Sequence, residues 1–267
     1  MSRISDKLKM LKANRQAALI PYIMAGDPDL KTTGKLILEI EKSGADMLEL
    51  GVPFSDPLAD GPTIQRAAIR ALAGKVNLGM VLRLVKETRK STDIPIILML
   101  YYNLVHRYGE ARFVADAVKA GVDGVIIPDL PPEEATSLMK EAKVSGLDVI
   151  FLLAPTSSAD RIKLVDESTT GFIYYVSLTG VTGARDTLDS GIESHLAKIR
   201  RISAKPLCVG FGISRPDQAK KVARWADGVI VGSALVGIIE KAKGKDAAVR
   251  DAGGFVRGLK EALRTGG

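Results

Sequence analysis

At 267 residues, with 46% hydrophobic and 26% charged residues, the chain has the composition of a globular protein, which excludes a disordered one. Its formal net charge is +7, yet the basic residues, such as Arg83, Lys86, Arg89 and Lys90, are scattered along helix-period stretches without aromatic interleaving, which argues against nucleic acid as a partner. The one cysteine, Cys208, excludes an intrachain disulfide or a cysteine zinc cage, and its apolar neighbours Leu207 and Val209 read as a buried site.

The chain opens with a Lys-rich stretch in which Ile4, Leu8 and Leu11 recur at helical spacing, so an amphipathic N-terminal helix is expected. It has no continuous apolar signal core, and no segment reaches 18 uninterrupted apolar residues; no membrane span and a cytoplasmic location are the expectation. Eight short apolar runs follow, at 18–25, 47–52, 95–101, 124–128, 149–154, 172–177, 206–211 and 228–232. Each is too short for a helix and too continuously apolar for a half-exposed antiparallel strand, as parallel strands buried on both faces require. Between them lie helix-period stretches, among them 33–43, 78–90, 112–120, 133–144 and 215–223. The alternation predicts right-handed crossovers and a parallel sheet.

A barrel and an open sheet both satisfy that alternation. A recurrent phrase before the strands favours the barrel: Ser43-Gly44-Ala45-Asp46, Ala120-Gly121-Val122-Asp123 and Trp225-Ala226-Asp227-Gly228. In each, a helix ends, a small residue turns the chain and Asp leads into the next strand, which marks the non-catalytic end. A single (β/α)₈ TIM-barrel domain over residues 1–267 is predicted, with the N-terminal helix across its floor. Phe255, Val256, Leu259 and Leu263 mark a last helix that completes the outer ring.

In such barrels the reactive groups sit where strands end. The second strand exits through Leu48-Glu49-Leu50-Gly51-Val52-Pro53-Phe54-Ser55-Asp56-Pro57-Leu58-Ala59-Asp60-Gly61. Alternation turns Glu49 to one side and its two leucines to the other. A carboxyl buried there has a raised pKa and suits a group that both gives and takes a proton. No Lys or Arg stands at a neighbouring strand end to make it a structural ion pair. The following loop is long and stiffened by Pro53, Pro57 and Pro62, and a helix begins near Thr63. Within it, Asp56 reads as a solvated loop acid or a partner contact, and Asp60 as a functional acid or a helix cap.

Glycines at later exits point to phosphate. Gly180-Val181-Thr182-Gly183, Gly210-Phe211-Gly212 and Gly232-Ser233-Ala234 follow the sixth, seventh and eighth strands. Backbone N–H groups at such helix starts hold anions, and Gly212 with Gly232 and Ser233 forms the expected core of the site. Tyr22, Leu100, Tyr102, Phe172, Tyr174 and Phe211 are the candidates for an apolar pocket. His106 and His195 have no spaced partner and read as surface residues, and no cluster has metal spacing.

The segment from Leu48 to Gly61 closely resembles the signature of the tryptophan synthase alpha chain family. The resemblance extends over nearly all the chain, including Pro21-Tyr22-Ile23-Met24-Ala25-Gly26-Asp27-Pro28, Pro128-Asp129-Leu130-Pro131 and the glycine segments. It implies retro-aldol cleavage of indole-3-glycerol phosphate to indole and glyceraldehyde 3-phosphate. Glu49 then matches the general acid/base at indole C3 and the glycerol hydroxyl, and Asp60 the group that stabilises charge at the indole N–H. Gly183, Gly212, Gly232 and Ser233 match the phosphate site, and the six apolar candidates match the pocket. Phe172 stands where some members have Tyr, and Asp129 where some have Ala; both differences bear on pocket shape.

The same resemblance implies an αββα assembly with a beta chain that consumes the indole. The loop with Pro53, Asp56 and Pro57 would face that partner, and Val181 to Arg185 would open a mobile lid. No cofactor is expected in this chain, since pyridoxal phosphate would belong to the beta chain. A stand-alone lyase releasing free indole, and a weakly active allosteric activator of a beta chain, are the alternatives.

Overall fold

The computed structural model describes residues 2–176, 191–210 and 212–264. Its strands are β1 (Ala18–Met24), β2 (Leu48–Gly51), β3 (Ile96–Met99), β4 (Gly124–Ile126), β5 (Asp148–Ile150), β6 (Leu152–Leu153), β7 (Ile173–Val176), β8 (Leu207–Gly210) and β9 (Gly228–Val231). All pair in parallel, in the order β5-β4-β3-β2-β1-β9-β8-β7-β6. Only Phe151 separates β5 from β6, so the two ends of the sheet are one stretch of chain. Its carbonyls bridge the seam: Val149 accepts from the Thr170 N–H at 2.9 Å, and Phe151 from that of Tyr174 at 3.1 Å. The sheet is therefore a closed barrel of eight staves. The eight predicted runs supply them, the fifth being interrupted at Phe151.

The helices are α1 (Arg3–Ala13), α2 (Leu30–Lys42), α3 (Pro62–Ala73), α4 (Leu78–Thr88), α5 (Tyr102–Tyr108), α6 (Glu110–Ala120), α7 (Thr136–Ser145), α8 (Ala159–Ser168), α9 (Ile192–Ile202), α10 (Pro216–Val222), α11 (Ser233–Lys241) and α12 (Lys245–Arg264). Ile4, Leu8 and Leu11 of α1 are buried in one cluster with inward-facing residues of the strands, including Ala18, Met47, Ile97 and Cys208. The N-terminal helix thus closes the floor. Helix α12 buries Val256, Leu259 and Leu263 and packs on α2, α10 and α11.

The three Asp-containing turns do more than end helices. The Asp46 N–H donates to the Leu19 carbonyl at 2.9 Å, while its carboxylate accepts the Leu19 N–H at 2.8 Å. Asp123 treats Ile96 the same way (2.9 and 2.8 Å), and Asp227 treats Leu207 (2.8 and 2.7 Å). Each carboxylate also meets a cation: Lys260 at 2.6 Å, Arg89 at 2.5 Å, and Arg200. Gly44 and Gly121 turn the chain at φ of +104° and +93°, where an L side chain is strained. Each Asp precedes its strand, so these ties lie at the barrel end opposite the exits. They set the strand register on which the alternation of the interior depends.

That alternation sorts the residues. Ile20, Met47, Ile97, Ile126, Ile150, Tyr174, Cys208 and Ile230 form the inner cluster, while Leu48, Leu50, Ile96, Leu98 and Val209 join the outer one beneath the helices. Glu49 has the parity of Met47 and is paired in register with Tyr22 of β1 and Ile97 of β3. Its carboxyl belongs to the lumen.

Candidate active site

Glu49 is 1% exposed, and neither of its carboxyl oxygens has a hydrogen-bond partner among the described residues. Burial, and next the Asp60 charge, push its pKa up to about 8. A carboxyl with that pKa is largely protonated at neutral pH, yet can lose the proton within a catalytic cycle. A buried polar group left without a partner costs stability. A buried carboxyl of this kind is a candidate functional group.

Asp60 comes from the loop between β2 and α3. It is half-buried, and its pKa is raised to about 6 by burial, opposed by a hydrogen bond from Tyr101. It does not cap the next helix: the N-cap of α3 is Gly61, with no side-chain cap bond, and Pro62 opens the first turn. The capping alternative for Asp60 is thereby removed.

Tyr101 holds this loop and was not among the residues singled out by sequence. Its hydroxyl accepts the Ala59 N–H at 3.0 Å, and its ring stacks on Phe54 at 5.2 Å between centroids. Strand parity explains its place. Inward-facing Ile97 and Met99 lead on to Tyr101, whereas Leu100 shares the parity of Ile96 and Leu98 and is buried with them in the outer cluster. Tyr102 opens α5; its hydroxyl donates to Glu110 at 2.9 Å, and its N–H to the Asp129 carboxylate at 2.9 Å. Asp129 thus secures the start of α5. Counting alternate residues from Glu49 through its register partner Ile97 would have found Met99 and Tyr101.

Phe172 precedes β7, at the end away from the exits, and is fully buried in the inner cluster that contains Ile4, Leu8 and Leu11. Tyr174, one turn of the alternation later, is inward and buried, with its hydroxyl beside Gly210. Tyr22 is buried as well, and its hydroxyl lies beside Gly51. Burial first, then nearby Asp60 and Glu49 for Tyr22, and Glu49 for Tyr174, raise both phenol pKa values well above 10. Both phenols therefore stay protonated.

Gly232 is the N-cap of α11 and Ser233 its first residue; no side chain caps this helix. Its first-turn N–H groups and dipole suit an anion. Gly212, exposed beyond the exit of β8, has φ of +56°. Gly183, Phe211 and the lid segment Val181 to Arg185 lie outside the described residues. In the acid-rich loop, Asp56 is exposed and Pro57 half-buried, but Pro53 is buried at its root; Leu58, at 95% exposure, is its projecting apolar residue. His106 is exposed as expected, whereas His195 is half-buried with its Nδ1 3.0 Å from the Tyr175 hydroxyl. No cluster of His, Cys, Asp or Glu among the described residues has the form of a metal site, and no described helix is long and apolar enough to cross a membrane.

The family model for the tryptophan synthase alpha chain matches residues 8–264. The chain belongs to the tryptophan synthase alpha chain family. The alpha chain of Geotalea uraniireducens (strain Rf4) is 56% identical over the whole of both chains. That of Citrifermentans bemidjiense is 52% identical, covering 100% of this chain and 99% of the relative. Among solved structures, tryptophan synthase subunit alpha from Legionella pneumophila superposes with a TM-score of 0.93 at 43% identity, covering 99% of each chain. A chain of Mycobacterium tuberculosis tryptophan synthase superposes with a TM-score of 0.91 at 36% identity, covering 98% of each. This family member is a carbon–carbon lyase of tryptophan biosynthesis. It cleaves indole-3-glycerol phosphate to indole and glyceraldehyde 3-phosphate for a beta subunit.

Proposed function

We propose that Glu49 and Asp60 carry out this cleavage as a proton shuttle and an electrostatic stabiliser. The observation that carries the reading is the buried, unpartnered Glu49 carboxyl with its pKa near 8. In its neutral form Glu49 delivers a proton to indole C3, and the positive charge that develops on the ring is stabilised at the N–H by Asp60. The carbon–carbon bond to the glycerol chain then breaks, and its electron pair returns to the ring. The hydroxyl on the departing carbon loses its proton to Glu49 and becomes the aldehyde. One carboxyl serves both steps because it starts neutral and ends neutral.

The substrate phosphate is assigned to the start of α11, at Gly232 and Ser233, together with Gly212 and Gly183. Tyr22, Leu100, Tyr102, Phe172, Tyr174 and Phe211 are assigned to the substrate pocket, with Met99 and Tyr101 beside them. The exposed part of the acid-rich loop, Asp56, Pro57 and Leu58, is assigned to the face toward a beta chain in an αββα assembly, with buried Pro53 bracing its root. Pyridoxal phosphate is assigned to that beta chain, and this chain works without a cofactor of its own in the cytoplasm.

Steady-state indole release, measured with and without added beta chain, tests the reading. The expected result is slow release alone and faster release in the complex. A high rate that the beta chain leaves unchanged would favour a stand-alone lyase, and no release under either condition would favour an activator without catalysis.

A further inference from the structure

Tyr22 lies along the lumen between the two ends of the proposed site. At its Cβ end it packs against Gly232, where an added Cβ would stand 3.6 Å from Tyr22 Cβ. At its hydroxyl end it occupies the place of a side chain at Gly51: a Cβ there would stand 2.1 Å from the phenol oxygen and 2.6 Å from Cζ. Gly51 follows Glu49 by two residues on the same inward face of β2, and Tyr22 is the register partner of Glu49. One end of the ring therefore lies beside Gly232, assigned to the phosphate, and the other beside Gly51, on the strand that carries Glu49. The phenol does not bond to Glu49, whose two oxygens are without partners among the described residues.

We propose that the Tyr22 hydroxyl is a catalytic hydrogen-bond donor to the substrate oxygen on the carbon leaving the indole ring. This inference rests on the lyase reading above and assigns to position 22 a polar role in place of a purely apolar one. The three-carbon chain of the substrate, running from phosphate to ring, passes along the tyrosine ring and brings that oxygen to the phenol. During cleavage the oxygen loses its proton to Glu49 and becomes a carbonyl; Tyr22 donates to it throughout and keeps its own proton. The raised phenol pKa suits that constant donor role. A donor fixed where charge develops favours the transition state over the ground state, so its loss falls on turnover.

Tyr22→Phe removes the hydroxyl and keeps the ring. The expected result is a fall in kcat of about tenfold. Inhibition by a hydroxyl-free analogue, an indole bearing a three-carbon chain and a terminal phosphate, should change less than about twofold. An unchanged kcat would overturn the inference while leaving the lyase reading intact. So would an equal loss of analogue binding, which would make Tyr22 a packing residue only. Absence of cleavage by the wild-type chain, with its beta chain present, would overturn the lyase reading and this inference with it.

Discussion

The Tyr101 hydroxyl accepts the Ala59 N–H at 3.0 Å, and this bond ties the loop that carries Asp60 to the exit of β3. The same hydroxyl bonds Asp60 and lowers its pKa against the effect of burial. Tyr101→Phe keeps the stacking on Phe54 but removes both bonds. The variant should lose about 1 kcal/mol of stability, and turnover should fall because Asp60 is less firmly placed. Thermal melts and kcat measured together check this; a variant with unchanged kcat would remove Tyr101 from the site.

Glu49 predicts an unusual dependence of stability on pH. Its pKa is about 8 in the folded chain against an ordinary value of 4.5, so the folded state holds the proton more tightly than the unfolded state. Stability from this group is fully present below about pH 4.5, falls as pH rises through that window, and is lost above about pH 8. Glu49→Gln cannot ionise and should melt near the wild type at pH 5 but several degrees above it at pH 9, by order of magnitude. Equal melting temperatures at pH 9 would contradict the raised pKa.

At the floor of the barrel, Lys260 of α12 meets Asp46 at 2.6 Å with both side chains buried, and Asp46 also holds the Leu19 N–H. Lys260→Met strands a buried carboxylate and should cost about 3 to 5 kcal/mol. The exposed pair Lys35–Asp246 at 3.1 Å offers the contrast, since Lys35→Met should cost no more than about 1 kcal/mol. Chemical denaturation of both variants distinguishes the two; similar losses would mean that burial does not govern these pairs.

Gly51 predicts a steric effect at the site itself. A methyl group there meets the Tyr22 phenol at 2.1 Å, so Gly51→Ala must displace that ring. Turnover should fall more than about tenfold, and the loss should be non-additive with Tyr22→Phe because the residues are in contact. Additive effects in a double-mutant cycle would show that the two act independently.

Much of this was legible in the chain because barrel strands are regular. Short apolar runs located the eight staves, and the Gly and Asp turns located the floor. Glu49 between two leucines announced itself through period-two alternation alone. The same rule, carried through the register partner Ile97 into the third strand, also points to Met99 and Tyr101 beside Leu100 and Tyr102. The depth of Phe172 was not legible in this way: a residue at a strand start and one at a strand exit look alike until the pairing shows which end is which. His195 was read as a surface residue because its partner, Tyr175, lies on β7, 20 residues earlier, and only the fold brings them to 3.0 Å.

The most direct test of the central claim compares wild type with Glu49→Gln for indole-3-glycerol phosphate cleavage, with glycerol 3-phosphate binding measured in parallel. The account predicts that the variant loses essentially all cleavage, with and without the beta chain, while its affinity for glycerol 3-phosphate stays within about twofold of wild type. Retention of more than about a tenth of the wild-type rate would contradict the proton-shuttle role of Glu49.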